Sequence, residues 1–170
     1  IGIFNRSYYE EVVVVRVHPD ILAKQRIPQS LVTKDIWRER YDDINAFERY
    51  FARNGYVILK FFLHISKDEQ RRRFLKRVDE PEKNWKFSLA DVKERGHWRD
   101  YMSVYEDMIR HTATPHAPWI VVPANKKWFA RWVVAAATIE ALDRLKLKFP
   151  TVSKQRRQEL MAVRSSLASS

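Results

Sequence analysis

The sequence predicts an α/β fold: a parallel sheet with helices on both faces. Three observations carry the prediction. Strand-like and helix-like patterns alternate along the chain, as they do where parallel strands are joined by helical crossovers. The segment YVILKFFLHI (56–65) is nearly all apolar, which suits a central strand buried on both faces. Directly after it, Ser66-Lys67-Asp68-Glu69 has the S-x-x-E pattern of a capping box, a sign that a helix starts there.

Each element follows from its local pattern. Residues 2–5 read as a short strand ending in the polar trio Asn5-Arg6-Ser7. Residues 8–17 are ambiguous: Val12 to Val15 favours a strand, while Ser7 followed by Glu10 and Glu11 favours a helix start. The balance falls on helix. Pro19 and Pro28 mark residues 19–33 as a loop or irregular turns. From Asp35 to Asn54, Trp37, Tyr41, Ile44, Phe47 and Phe51 recur at helical spacing, and Asn54-Gly55 closes the helix. The helix opened by Ser66 carries Arg71, Arg72, Arg73 and Arg77 and should fade near Pro81, with Phe74, Leu75 and Val78 on its packed side. A polar, aromatic-studded loop spans 79–88. Ser88 then starts a helix to about His111, with Trp98, Tyr101, Tyr105 and Met108 as its stripe. Trp119 to Val122 is a short apolar strand. Asn125 is expected to cap a long helix with Phe129, Trp132, Val133, Ala136, Ile139 and Leu142 on one face, broken by Pro150. The tail from 153 is basic and polar, a weak or detached helix. Three strands make a small sheet, and the first begins at residue 1, so the chain reads as the second half of an α/β domain.

Composition narrows the function. The 170 residues suffice for one domain with a core, and 45% apolar content is that of a folding chain. Lys and Arg number 32 against 21 Asp and Glu, a net charge of +11, which points to a polyanionic partner such as nucleic acid, nucleotide or another phosphate polymer. There is no Cys, which excludes disulfides and thiolate metal sites. No apolar run reaches the length of a membrane span, and no signal peptide is visible, so a cytoplasmic location without membrane partners is the default expectation. The only glycines, Gly2, Gly55 and Gly96, are isolated, so no G-x-x-x-x-G-K phosphate loop exists in this chain.

Ligands of open α/β sheets bind at the carboxyl ends of the strands. The three strand ends offer Asn5 and Arg6; His64 and Ser66 with the arginine-rich helix behind them; and Asn125, Lys126 and Lys127. Basic groups follow every strand, and arginine forks match phosphate oxygens. Each group also has a plain surface reading, since charged residues after strands and on helices are commonly solvated. The five histidines show no metal-ligand spacing, His64 reads as a hydrogen-bonded core residue, and Asp42-Asp43 reads as a solvated helix pair.

Three blocks, IGIFNRSYYEEVVVVRVHP, VILKFFLHISKDEQRRRFLKRVDEPEKNWKFSLAD and WIVVPANKKWFARW, resemble the family-2 polyphosphate kinases in order and spacing, from residue 1 to about 145. The resemblance implies a P-loop kinase-like three-layer α/β/α sandwich, incomplete at its amino-terminal side. It implies a kinase domain over residues 1–148, a lid at about 67–95 and a basic tail over 149–170. The implied reaction is reversible phosphoryl transfer between inorganic polyphosphate and a nucleotide such as AMP, ADP or ATP, with Mg²⁺. Asn5 and Arg6 fall on the family's Walker B-like strand end; Asn5 stands where many members have Asp, and resembles the subgroup with broad acceptor use. Arg73 and Arg77 match the lid arginines. Lys83, Trp85 and Lys86 match its K-x-W-K segment, and Arg71 and Lys126 complete the implied substrate contacts. The family's Walker A block is absent from this sequence, so the chain alone is expected to be inactive. A homo-oligomer, dimer or tetramer, is a further family expectation. The alternatives are a basic nucleic-acid- or polyanion-binding domain, or a nucleotide kinase with another donor.

Overall fold

A computed structural model describes residues 1–169. It divides into two compact units, Ile1–Ala136 and Ala137–Ser170. In the first, two strands form the sheet: β1 (Lys60–His64) and β2 (Trp119–Pro123) pair in parallel, with Lys60 opposite Trp119 and His64 opposite Pro123. Between them the chain crosses through three helices, Lys67–Asp79, Leu89–Glu94 and Trp98–Thr112. This is the α/β class with a parallel sheet that the sequence predicts.

The segment before β1 is helical. Ser7 accepts a 3.4 Å bond from the Tyr9 amide and caps a 3-10 turn, Tyr8–Val12, which runs into α1 (Val14–Val17). The acids after Ser7 thus outweigh the valine run, as expected. Residues 19–33, expected as irregular, include the short helix α2 (Pro19–Lys24) and a 3-10 turn. Helix α3 (Ile36–Arg53) ends where Gly55 adopts φ 83°, with the Gly55 and Tyr56 amides returning to the carbonyls of Ala52 and Phe51. Only a residue without Cβ takes that turn freely. The crossover helices are α4 (Lys67–Asp79), α5 (Leu89–Glu94) and α6 (Trp98–Thr112).

Several expectations are corrected. Residues 2–5 form no strand: β1 and β2 pair only with each other among the described residues, and Ile3 and Phe4 lie in the open. An apolar segment without a ladder partner has nothing to satisfy its backbone groups as a strand. The sheet therefore has two strands rather than three. The apolar run 56–65 becomes strand only from Lys60. The helix expected over 88–111 breaks at Gly96, where a 3-10 turn, Arg95–His97, separates α5 from α6. On α4, Leu75 and Val78 are exposed, so Phe74 is the only half-buried member of its expected packed side.

The core has two clusters. Tyr9, Val12, Val13, Tyr41, Ile44 and Met108 join the first turns, α3 and α6. Val122, Ala124 and Ala130 form the other, against Phe61, Ile65, Ile120 and Val133. Ala130 and Val133 belong to α7 (Lys127–Arg144). Of the face expected on this helix, Phe129, Val133 and Leu142 are half-buried, while Trp132, Ala136 and Ile139 are exposed and the unexpected Ala130 is buried against the sheet. In the second unit, Ser153 caps helix α8 (Lys154–Ala168) through a 3.1 Å bond from the Arg156 amide, and every described residue of α8 is exposed. A helix there fits the expected weak tail helix.

Candidate functional site

At the carboxyl ends of β1 and β2 lies an open cavity of about 480 Å³, lined by His64, Ser66, Pro123, Ala124, Asn125, Lys126, Trp128 and Phe129. Its floor is set by cross-strand bonds. The Ala124 amide donates to the His64 carbonyl at 2.7 Å, the Ser66 amide donates to Asn125 Oδ1 at 2.9 Å, and Asn125 Nδ2 donates to Ser66 Oγ at 3.3 Å. Asn125 therefore ties the two strand-end loops together and spends its side chain there, where the sequence suggests a helix cap. His64 is exposed at the strand end and lines the cavity, which corrects its reading as a core residue.

Ser66 Oγ accepts from the Glu69 amide at 3.1 Å and caps α4. The return half of the capping box is replaced, because Asn125 holds the Ser66 amide and Glu69 turns to two arginines. Arg72 donates to it through Nε and Nη2, both at 2.7 Å, and Arg73 through Nε at 2.7 Å. Bonds from Arg72, then Arg73, pull the Glu69 carboxyl down to about 2. With Nε so held, Arg73 extends Nη2 to the carbonyls of Ala124 at 2.7 Å and Asn125 at 3.2 Å. Arg73 thus reaches the loop after β2, whose next residue, Lys126, lines the cavity.

The segment after α4 folds back on it. Asn84 Nδ2 donates to the carbonyls of Arg77 and Val78, both at 2.8 Å, and closes the carboxyl end of α4. Arg77 pairs with Asp91 at 3.4 Å and stacks over Phe74 at 5.5 Å. Lys86 sits 4.8 Å over the exposed ring of Trp85, and Lys83 pairs with Glu80. The Lys83 ammonium is pushed down by loss of hydration, then by the charges of Lys76, Lys127 and Lys86, so this turn and the start of α7 share one electropositive region. Arg95 Nη1 donates to the Lys67 carbonyl at 2.7 Å and to Gln70 Oε1 at 3.0 Å, which fastens the two ends of residues 67–95 to each other. Arg71 is exposed on α4.

Asn5 and Arg6 occupy an exposed bend before the Ser7 cap. The Arg6 fork grips Glu10, Nε to Oε1 at 2.7 Å and Nη2 to Oε2 at 2.5 Å. Those bonds and the Glu10 charge hold its guanidinium above its ordinary value. The fork is thus spent within its own segment, and Arg6 is not among the residues that line the strand-end cavity.

Sequence reasoning missed the buried polar network behind this segment. Glu48 on α3 and Lys60 at the start of β1 are both buried and pair at 2.6 Å. Tyr8 and Tyr9 donate to Glu48 Oε1 at 2.9 and 2.8 Å. The signal was present. Lys60 stands within the mainly apolar run 56–65, and Glu48 falls four residues after Ile44 on the inward face of α3, where an unpaired charge would not be tolerated.

A parallel strand pair with an open cavity at its carboxyl end, lined by Lys126 and flanked by Arg73, has the ligand-site placement of open α/β proteins. Comparison makes the assignment specific. The family model Polyphosphate kinase 2 (PPK2) matches residues 1–150. The ADP-polyphosphate phosphotransferase of Rhodopseudomonas palustris is 50% identical over 168 residues, 98% of this chain and 58% of that protein. The AMP/ADP-polyphosphate phosphotransferase of Meiothermus ruber is 48% identical over 148 residues, 87% of this chain and 51% of that one. The crystal structure of Polyphosphate Kinase 2 from Arthrobacter aurescens TC1 superposes with a TM-score of 0.82 at 40% identity, covering 96% of this chain and 54% of that one. The chain belongs to the polyphosphate kinase 2 family, and its fold is that kinase fold. It spans little more than half the length of these relatives.

Proposed function

We propose that the chain contributes the lid and strand-end portion of a phosphotransferase that moves a phosphoryl group between inorganic polyphosphate and a nucleoside mono- or diphosphate, AMP or ADP. The observation that carries this reading is Arg73, aimed by Glu69 across the loop that ends β2, in a chain whose relatives are named for that reaction. In the transfer, a phosphate oxygen of the nucleotide attacks the terminal phosphorus of polyphosphate. The new P–O bond forms as the bond to the shortened polyphosphate breaks, and the charge stays on phosphate oxygens throughout. Arginines suit this task because catalysis of phosphoryl transfer is mostly positioning and charge stabilisation. Arg73 and Arg77 would hold the transferring phosphate, and Arg6, next to Asn5 in the chain, would join them by exchanging Glu10 for phosphate. Arg71, Lys83, Lys86 and Lys126 would follow the polyphosphate chain, and Trp85 would close over it and exclude water.

The sequence holds no Walker A loop, so the 170 residues by themselves are proposed to bind phosphate chains without turnover. Mg²⁺ is the ion the reading implies. Such an ion is held by one or two carboxylates together with substrate phosphates and water, and Asn5 would offer it a neutral amide oxygen in place of a carboxylate. A homo-oligomer and a cytoplasmic location belong to the same reading. No helix among the described residues is long and apolar enough to cross a membrane.

A competition experiment tests the reading. Long-chain polyphosphate should displace single-stranded nucleic acid from the chain, and Arg73→Ala with Arg77→Ala should weaken polyphosphate more than nucleic acid. If nucleic acid wins, and both variants bind polyphosphate as the wild type does, the basic nucleic-acid-binding alternative replaces this one.

A further inference from the structure

The buried network lies directly behind Asn5-Arg6-Ser7. Tyr8 and Tyr9 are consecutive in one 3-10 turn, and both hydroxyls donate to the same oxygen of Glu48. The other oxygen accepts from Lys60 Nζ at 2.6 Å, and Nζ also donates to Tyr9 Oη at 2.8 Å and to the Thr112 carbonyl at 2.9 Å. The ammonium lies 5.2 Å from the Tyr9 ring and 5.1 Å from the Trp119 ring. Trp119 in turn donates to Thr112 Oγ1 at 2.9 Å. The first turn, α3, α6 and both strands therefore meet on one ion pair, and every proton of the ammonium has an acceptor.

Stability alone is a weak reason for such a pair. Desolvating two charges costs about as much as their attraction returns, and apolar residues of the same volume often serve as well. Apolar residues cannot hold two neighbouring tyrosines on a single oxygen, however. That grip fixes the rotation of the turn about its axis, and with it the direction in which Arg6, two residues before Tyr8, leaves the body.

We propose that Glu48 and Lys60 are positioning residues for the Asn5–Ser7 segment, acting through Tyr8 and Tyr9. The functional part of this inference rests on the proposed phosphate role of Arg6; the structural part does not.

The test compares the full 170-residue chain with two double variants, Glu48→Met with Lys60→Met, and Tyr8→Phe with Tyr9→Phe. The second keeps the ion pair and guards against a folding failure of the first. Two readouts are taken: exchange of the Glu10 amide, which donates to the Ser7 carbonyl at 3.0 Å, and affinity for long-chain polyphosphate. The expected result is folded protein in which Glu10 exchange quickens and polyphosphate affinity falls roughly tenfold, as for groups coupled in one network, down to the level of Arg6→Ala. Folded variants with wild-type exchange at Glu10 and wild-type affinity would overturn the proposal and leave the pair as core filling. If Arg6→Ala binds polyphosphate like the wild type, the phosphate reading of Arg6 fails by itself, and Glu10 exchange still decides whether the network positions the turn.

Discussion

Lys60→Met removes one charge from a buried pair and leaves the other in place. Lys60 makes three hydrogen bonds of 2.6–2.9 Å, to Glu48, Tyr9 and Thr112, and its partner Glu48 is fully buried. Breaking such a pair from one side costs about 3–5 kcal/mol, because an uncompensated charge remains inside. Two tyrosine hydroxyls still donate to Glu48 Oε1, so the cost should fall at the lower end, about 3 kcal/mol. That is a large part of the roughly 5–15 kcal/mol by which domains are stable. The assay is urea unfolding followed by circular dichroism at neutral pH. A loss under about 1 kcal/mol would refute the reasoning, because the desolvation penalty of an unpaired buried charge would then be missing from the site.

The other predictions concern the strand-end loops and the lid. Glu69 is held at about 2 by Arg72 and Arg73, below its unfolded value of roughly 4.3; its contribution is present above that unfolded value and lost as pH falls towards 2. Glu69→Gln should flatten this part of the acid-unfolding curve, and an unchanged curve would show that the arginine bonds add nothing. Ser66→Ala deletes the cap of α4 and an acceptor for Asn125, and should cost about 0.5–2 kcal/mol in the same urea assay. Asn84→Ala frees the Arg77 and Val78 carbonyls; amide exchange should rise in the last turn of α4 and in Pro81–Lys86 while the core stays protected. In an active protein carrying this sequence, Arg73→Ala or Arg77→Ala should cut turnover by orders of magnitude with folding intact, on the scale of an arginine that stabilises transferring phosphate.

Much of this architecture is legible in the sequence because local and global signals agree. The Trp37-to-Phe51 spacing and Gly55 define α3, Ser66 marks the start of α4, and the apolar runs locate β1 and β2. What fails is what depends on partners. Residues 2–5 have strand composition, but strand is a property of pairing, and no ladder forms there. Only half of the face expected on α7 is covered, because periodicity names the apolar positions and not which of them the sheet reaches: Ala130 is buried there while Trp132 is exposed. The strand-end position of Arg73 and Lys126 follows from topology and could be foreseen. The Ser66–Asn125 tie and the Glu48–Lys60 pair bridge residues apart in the chain; Lys60 within the apolar run and the spacing of Glu48 from Ile44 hinted at the pair, and nothing local hinted at the tie.

The function proposed for these strand ends is phosphoryl transfer between polyphosphate and nucleotide. Its most direct test mixes long-chain polyphosphate, Mg²⁺ and AMP or ADP with this chain joined to a Walker A-bearing segment of a relative, with the 170-residue chain alone beside it, and follows nucleotide phosphorylation. Phosphorylated nucleotide is expected from a protein that includes a Walker A loop, abolished by Arg73→Ala, and none from the 170 residues alone. Folded protein that binds polyphosphate yet phosphorylates nothing, with a Walker A loop present, would contradict it.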